Sequence, residues 1–168
     1  MTHVGGGRAT YAFDNMDEAA AGAIAKWRYP GEYGFYDLSA DPDDLGEMLD
    51  RSRWEEEYFR VDRDGCLAGF WQIKPARREV TEIGLGLAPE LTGHGLGTAF
   101  VLAGVDFTVA STRTAVVALD VAEFNRRAMT VYERVGFRAV RTSVRETPQG
   151  PLGFVSMELR VPLSPPLA

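Results

Sequence analysis

The segment 89–97 constrains the fold of this chain more than any other stretch. It reads Pro-Glu-Leu-Thr-Gly-His-Gly-Leu-Gly and stands between a strand-like pattern and a helical one. Proline ends the strand, and alternate glycines let the backbone turn tightly and let a ligand approach it. The first amides of the following helix have no partner in the helix and lie at the positive end of its dipole. This junction therefore predicts an anion site that suits a pyrophosphate.

Two common phosphate-binding patterns fit this segment poorly. A Walker loop needs Gly-Lys-Ser/Thr after its glycines, and the two lysines of the chain, Lys26 and Lys74, lie elsewhere. The dinucleotide pattern needs a third glycine three residues after the second, where this chain has Phe100. Both readings are therefore disfavoured, and the phosphate ligand has to be identified from other residues.

Apolar residues recur along the chain at strand-like and helical periods. The sequence predicts helices that start at the N-caps Asn15 and Asp41, with Glu18 completing a capping box after Asn15. Two further helices are predicted over 95–110 and 126–135. Strands are predicted over 8–13, 56–63, 66–73, 79–87, 115–121, 137–145 and 152–160.

This order of elements predicts the fold class, an α/β (α+β) domain with a single mixed, mostly antiparallel sheet flanked by helices. The dipeptide Asp64-Gly65 is typical of a hairpin turn. We expect one domain over residues 1–161, because a chain of 168 residues is long enough to bury a hydrophobic core. Residues 162–168 contain three prolines, and we expect them to form a loose tail.

The composition disfavours several classes of protein. A net charge of −6 argues against a general nucleic-acid binder. We expect a cytoplasmic protein without membrane contact, since the sequence shows neither a bilayer-spanning apolar run nor a secretory leader. Cys66 is the only cysteine, which excludes an intrachain disulfide, and we expect it to be a buried structural thiol. The cysteine and the two histidines lie too far apart for metal-ligand spacing, so no metal is expected.

Charge is unevenly distributed between the two parts of the chain. Residues 1–64 hold 15 acidic and 7 basic residues, whereas residues 65–168 hold 9 acidic and 11 basic ones. The first part could therefore face a cation and the second an anion. Uneven solvation of two surfaces would produce the same distribution, and charge alone does not distinguish the two readings.

A second segment, 125–137, follows a predicted buried strand about thirty residues after the first. It contains Asn125, Ala128, Tyr132 and a final Gly-Phe pair, in the pattern Asn-x-x-Ala-x-x-x-Tyr-x-x-x-Gly-Phe. The two segments together resemble the signatures of the GNAT superfamily of acyl-CoA N-acyltransferases. The resemblance covers residues 56–160, and it departs from the family at Thr92, where Gln or Arg is usual.

The resemblance implies acetyl-CoA as a co-substrate and places its pantetheine arm along the strand that precedes the first segment. The residues of this chain at the matching positions share a predicted role in binding CoA. They are Leu85, Leu87, Thr92, Gly93, His94, Gly95, Leu96, Gly97 and Asn125.

The resemblance also implies direct attack of an amine on the thioester. Tyr132 is expected to be the general acid for the leaving thiolate, because the family's tyrosine lies near the sulfur. We expect Glu82 to be the general base, directly or through water, on the strand face that Gly84 and Gly86 leave open. The alternatives for the base are Glu79, Asp120 and Glu123.

In this family the first two helices usually shape the acceptor side, and here that region combines aromatic residues with carboxylates. This combination suits a cationic amine, either a small molecule or a peptide amine. Packing under a loop as a minor core is the alternative reading. The predicted acceptor residues are Trp27, Tyr29, Glu32, Tyr33, Tyr36 and Asp37.

The expected function is therefore transfer of an acetyl group from acetyl-CoA to a primary amine. The rival hypothesis is a non-catalytic acyl-CoA-binding sensor or interaction module on the same fold. A homodimer is possible by resemblance, because members of the family often pair.

Overall fold

The computed structural model describes residues 2–4 and 10–163, apart from the side chains of 2–4, 75 and 76. The strands are β1 Thr2–Val4, β2 Tyr11–Asn15, β3 Tyr58–Arg63, β4 Cys66–Arg77, β5 Val80–Leu87, β6 Val116–Ala122, β7 Arg138–Thr147 and β8 Gly150–Arg160. The helices are α1 Glu18–Ile24, α2 Pro42–Leu49, α3 Gly97–Ser111 and α4 Arg126–Val135. Short 3-10 turns lie at Gly31–Tyr36, Leu38–Ala40, Arg51–Arg53 and Pro89–Leu91.

Within the described residues, the eight strands form one sheet in the order β1-β2-β3-β4-β5-β6-β8-β7. All neighbouring pairs are antiparallel except β5 and β6, which run parallel. The mixed, mostly antiparallel sheet predicted from the sequence is thus confirmed.

The parallel pair is short, and this feature positions the site. Only residues 80–82 of β5 pair with residues 116–118 of β6, and Glu82 opposite Ala118 is the last pair. Each strand continues for four or five residues after this point, paired with only one other strand. The sheet therefore opens into a wedge on the carboxyl side of Glu82.

Helix α3 packs tightly against one face of the sheet, where the main core lies. Trp71 of β4 is fully buried, and its indole N–H donates to the Thr108 hydroxyl at 2.9 Å. A Cβ atom added to Gly104 would lie 2.3 Å from the Trp71 ring, so a helix with any other residue there would have to move away from the sheet. Helices α1 and α2 form a smaller core with Met48 and Tyr58 on the opposite face.

Several local predictions match the structure. Helix α4 has the predicted bounds, 126–135, and Asp41 caps α2 by accepting from the Asp43 N–H at 2.9 Å. The hairpin turn lies at Asp64 and Gly65, which have φ angles of 51° and 85°. These features depend on neighbours in sequence, which explains why the sequence alone locates them.

Other predictions were wrong. Asn15 does not cap a helix; it is the last residue of β2 and pairs with Phe59. Asp17 caps α1 instead, since its carboxylate accepts from the Ala20 N–H at 2.8 Å. Cys66 is exposed, not buried, because it is the first residue of β4 after the hairpin turn. Parts of the predicted first strand (8–9) and of the predicted tail (164–168) lie outside the described residues.

Candidate active site

A cleft of about 840 Å³ lies in the wedge between β5 and β6. The glycine-rich loop 92–97 and the start of α3 line one part of it, and the amino-terminal part of α4 lies beside them. Residues of α2 and of the β7–β8 hairpin line another part. The cleft therefore connects the predicted phosphate site with the acidic first part of the chain.

The glycine-rich loop leaves the first amides of α3 available to a ligand. Gly93 and Gly95 have φ angles of +76° and +74°, a left-handed conformation that other residues rarely adopt. The N-cap residue of α3 is Leu96, whose side chain makes no capping hydrogen bond. A 15-residue helix whose terminal N–H groups are not capped by a side chain is suited to bind an anion there.

Two residues of the predicted phosphate segment differ from expectation in their placement. The Thr92 hydroxyl donates to the Pro89 carbonyl at 2.7 Å, so it serves the turn that precedes the loop. His94 is exposed and is not among the described residues that line the cleft. The other residues predicted to bind CoA line the cleft. They are Leu85, Leu87, Gly93, Gly95, Leu96, Gly97 and Asn125, and Thr92 lines the cleft as well.

The glycines of β5 do not leave an open surface, which corrects the sequence-based expectation. A Cβ atom on Gly84 would lie 2.7 Å from the Gln72 side-chain oxygen, and one on Gly86 would lie 2.4 Å from the Phe70 ring. The glycines accommodate these side chains of the neighbouring strand β4. The face of β5 that carries these glycines is therefore covered by Gln72 and Phe70.

Tyr132, Tyr36 and Asn125 come together at the β6 side of the wedge. Burial raises the pKa of the Tyr132 hydroxyl above the usual tyrosine value, and the nearby Tyr36 hydroxyl adds to this effect. Burial also raises the pKa of Tyr36, although the nearby Asn125 side chain and the hydrogen bond from the Ala122 N–H lower it. Both phenols are therefore protonated at neutral pH and able to donate a proton. The side-chain oxygen of Asn125 caps α4 by accepting from the Ala128 N–H at 3.1 Å.

The carboxylates considered as bases have different surroundings. Glu82 is exposed and is not among the described residues that line the cleft, although it marks the point where the strands part. Asp120 lines the cleft, but Ser156 and Arg145 bond its two oxygens. Burial alone would raise the pKa of Asp120; these hydrogen bonds and the Arg145 charge outweigh it and hold the pKa below its usual value. Asp120 is therefore a poor proton acceptor.

The remaining alternative bases are engaged away from the wedge. Glu79 lies in the turn before β5 and faces Arg113 at 3.9 Å. The Glu123 side chain lies over Gly153, where a Cβ atom would meet its carboxylate. Neither residue is among the described residues of the cleft wall.

The predicted acceptor residues divide into two groups. Tyr29, Tyr33 and Tyr36 line the cleft, whereas Trp27, Glu32 and Asp37 are not among the described residues of its wall. The three residues of this second group have structural roles or face solvent. Trp27 packs against the smaller core, Glu32 is exposed, and Asp37 accepts from the Tyr29 N–H at 2.8 Å.

The tyrosines themselves bridge the mouth of the wedge. The Tyr29 hydroxyl donates to the Leu87 carbonyl of β5 at 2.8 Å, and the Tyr36 oxygen accepts from the Ala122 N–H of β6 at 3.2 Å. The short segment 29–36 thus contacts both parted strands. We call it the bridging segment.

Acidic residues that the sequence analysis did not select line the acceptor part of the cleft. Asp41 and Asp44 come from the start of α2, and Glu146 comes from the end of β7. Burial raises the pKa of Asp44, and the negative charges of Asp41 and Glu47 raise it further. The pattern of α2 showed Asp41 only as an N-cap. The start of α2 also lies near the β7–β8 hairpin, where the Gln149 side chain donates to the Ala40 carbonyl at 3.0 Å. These two residues are 109 positions apart in the sequence.

The parted sheet, the uncapped helix start beside it and the phenol in the cleft agree with the acyl-CoA N-acyltransferase class that the two sequence segments resemble. Residues 20–137 match the acetyltransferase (GNAT) family, and the chain belongs to that family. No helix among the described residues is long and apolar enough to cross a membrane.

Comparison with individual proteins supports this assignment. The chain is 32% identical to a mycothiol acetyltransferase of Acidimicrobium ferrooxidans over 111 residues, which are 61% of this chain and 36% of that protein. The chain thus spans about a third of the length of this curated relative. A spermidine N-acetyltransferase from Vibrio cholerae, solved with CoA and spermine, has a TM-score of 0.69 at 18% identity, over 89% of this chain and 95% of that one. Aminoglycoside acetyltransferase AAC(6')-Ib, solved with coenzyme A, has a TM-score of 0.68 at 21% identity. The match covers 89% of this chain and 94% of that one.

Proposed function

We propose that the protein transfers an acetyl group from acetyl-CoA to a primary amine that carries positive charge. The observation that carries this proposal is the single cleft that joins the uncapped start of α3 to the carboxylates of Asp41, Asp44 and Glu146. One part suits the phosphates of the donor, and the other suits an ammonium group. The gap between β5 and β6 lies between them.

In the proposed reaction the amine nitrogen attacks the thioester carbonyl carbon and the carbon–sulfur bond breaks. The departing thiolate takes a proton from the Tyr132 hydroxyl, which its raised pKa keeps protonated, and Tyr132 regains a proton from the nitrogen of the newly acylated amine. Backbone N–H groups on the free edge of β5, including Leu85 and Leu87, are the proposed donors to the thioester oxygen and the pantetheine arm.

The amine must also lose a proton before or during attack. Asp120 is unsuitable because its oxygens are already bonded and its pKa is lowered. We keep Glu82 as the proposed base, acting through water, because it lies at the start of the gap and outside the cleft wall. Replacing Glu82 with glutamine should lower kcat/KM about tenfold and change the acidic limb of the pH–rate profile.

Glu133 provides a matched control for Glu82, since it is exposed on α4 and is not among the described residues of the cleft wall. Glu133→Gln should leave the pH–rate profile unchanged. An unaltered profile in the Glu82 variant as well would remove Glu82 from the mechanism.

The cationic acceptor is supported by the charges at the α2 end of the cleft. Of the two proteins of similar fold described above, one was solved with spermine and the other is an aminoglycoside acetyltransferase. Both agree with a cationic acceptor. Changing both Asp41 and Asp44 to asparagine should raise KM for a polyamine such as spermidine about tenfold, or about 1.4 kcal/mol. Asparagine at position 41 retains the helix cap, so α2 should persist.

The control for this pair is Asp43→Asn, which removes one negative charge from the same turn of α2 at a residue that is not among the described residues of the cleft wall. KM for acetyl-CoA should be unaffected in all variants. If the double variant shows an unchanged KM for every amine that the wild type accepts, the acceptor is not bound by these carboxylates.

The direct test of the function is release of free CoA thiol when purified protein is mixed with acetyl-CoA and a panel of primary amines. Amine-dependent release supports transfer. Calorimetric binding of acetyl-CoA without release for any polyamine, aminoglycoside or peptide amine would favour the rival reading, a non-catalytic acyl-CoA sensor on this fold.

A further inference from the structure

We propose that Arg127, on α4, binds the pyrophosphate of the acyl-CoA donor beside the glycine-rich loop. This inference rests on the proposed function, because it assumes an acyl-CoA ligand at the glycine-rich loop. It assigns a specific binding role to a residue outside that loop.

Position 92 cannot serve the phosphates through its own side chain. The Thr92 hydroxyl is short, and it donates its proton to the Pro89 carbonyl at 2.7 Å. A ligand at the loop therefore finds backbone amides at this position and no side-chain cation. The chain has only two lysines, Lys26 and Lys74, and neither is among the described residues that line the cleft.

Arg127 reaches the glycine-rich loop from the start of α4. It lies in the first turn of α4, it lines the cleft, and its Nη1 is 3.8 Å from the position of a Cβ atom on Gly93. Gly93 and Gly95 are the two left-handed residues of the loop. The guanidinium is thus close to the amides that the helix start presents, so the two can act on the same anion.

The bridging segment holds this guanidinium in place. The Arg127 side chain stacks over the ring of Tyr33, with its central carbon 4.3 Å from the ring centroid. Tyr33 in turn packs against Phe124, at 6.0 Å between ring centroids. Stacking on an aromatic ring reduces the conformational freedom that an arginine would lose on binding phosphate. Tyr33 therefore belongs to the donor part of the cleft, although the sequence suggested the acceptor part.

The charge of Arg127 is not consumed by a carboxylate. Within the described residues no salt bridge joins Arg127 to an acidic side chain, whereas Arg145 in the same cleft is paired with Asp120. Planar guanidinium groups match two phosphate oxygens at once. Arg127 therefore combines an open charge, a fixed position and proximity to the loop.

The experiment compares Arg127→Gln with Arg126→Gln by calorimetric titration of acetyl-CoA. Arg126 precedes it on α4, is exposed, and is not among the described residues of the cleft wall, so it controls for loss of one positive charge. We expect Arg127→Gln to weaken binding at least tenfold and to reduce its dependence on salt, and Arg126→Gln to bind within twofold of the wild type. Equal affinities in the two variants would overturn the inference.

A second arm identifies the phosphate group and excludes a folding defect. Dephospho-CoA lacks the 3'-phosphate, and we expect Arg127→Gln to weaken the binding of this probe by the same factor as that of acetyl-CoA. A loss seen only with intact CoA would overturn the pyrophosphate assignment. Adding Thr92→Arg to Arg127→Gln should restore part of the affinity, which a misfolded variant would not do. Absence of acetyl-CoA binding by the wild type would instead contradict the proposed function, so the two failures are distinguishable.

Discussion

Acetyl-CoA binding is expected to fall at least a hundredfold in a Gly95→Asp variant. Gly95 has a φ angle of +74°, and an aspartate in this conformation costs about 1 kcal/mol or more. A Cβ atom added at Gly95 would meet no protein atom within 4 Å, so a clash at Cβ is not the cause of the loss. The new carboxylate would instead stand at the uncapped start of α3, where the phosphates of the donor are proposed to bind, and like charges repel.

The hairpin residue Gly65 offers a matched control. It has a similar φ angle of +85° and equally open surroundings, but it lies in the β3–β4 turn, outside the cleft. Because the backbone strain is similar, Gly65→Asp should lower the melting temperature about as much as Gly95→Asp does. Its affinity for acetyl-CoA should equal that of the wild type. Comparable calorimetric affinities for the two variants would show that the loop does not bind the donor.

The second large effect is expected in the chemical step. A Tyr132→Phe variant should bind acetyl-CoA normally and lose at least tenfold in kcat, because the leaving thiolate no longer receives a proton. Burial raises the pKa of Tyr132, so the hydroxyl remains protonated to a higher pH than an ordinary tyrosine. The wild-type rate should therefore show no loss from Tyr132 ionisation below the usual tyrosine range, which a pH–rate profile can test.

Tyr11 provides the control for removal of a buried hydroxyl. Its ring belongs to the main core, and it is not among the described residues of the cleft wall. Tyr11→Phe should leave both kcat and KM unchanged. If Tyr132→Phe also retains full kcat, another group or water protonates the thiolate and Tyr132 has only a packing role.

The structure brings the residues selected for the donor part together more completely than those selected for the acceptor part, and the reason is the range of the contacts. The glycine-rich loop and the α4 cap at Asn125 each depend on a few consecutive residues, so their spacing was enough. The contact between Gln149 and Ala40 depends on how the whole sheet brings a hairpin to α2. Nothing in the local pattern of α2 distinguished Asp44 from any solvated aspartate.

The strand β5 illustrates a second limit. Alternation placed Gly84 and Gly86 on one face, and the structure shows them there, but the sequence could not show that Phe70 and Gln72 of β4 lie over them. A glycine pattern indicates close approach of something without saying what approaches. Here the neighbouring strand, and not a ligand, occupies the space on that face.

The parted strands have a thermodynamic consequence. Beyond Glu82, the edge of β5 that faces β6 has no strand partner, so the hydrogen-bond ladder of the sheet is interrupted there. A ligand that bonds to this edge binds the folded chain and not the unfolded one, and it must raise the unfolding midpoint by mass action. The supply of that ligand in the cell would then set how long each molecule survives heat and proteolysis, quite apart from how fast it turns over.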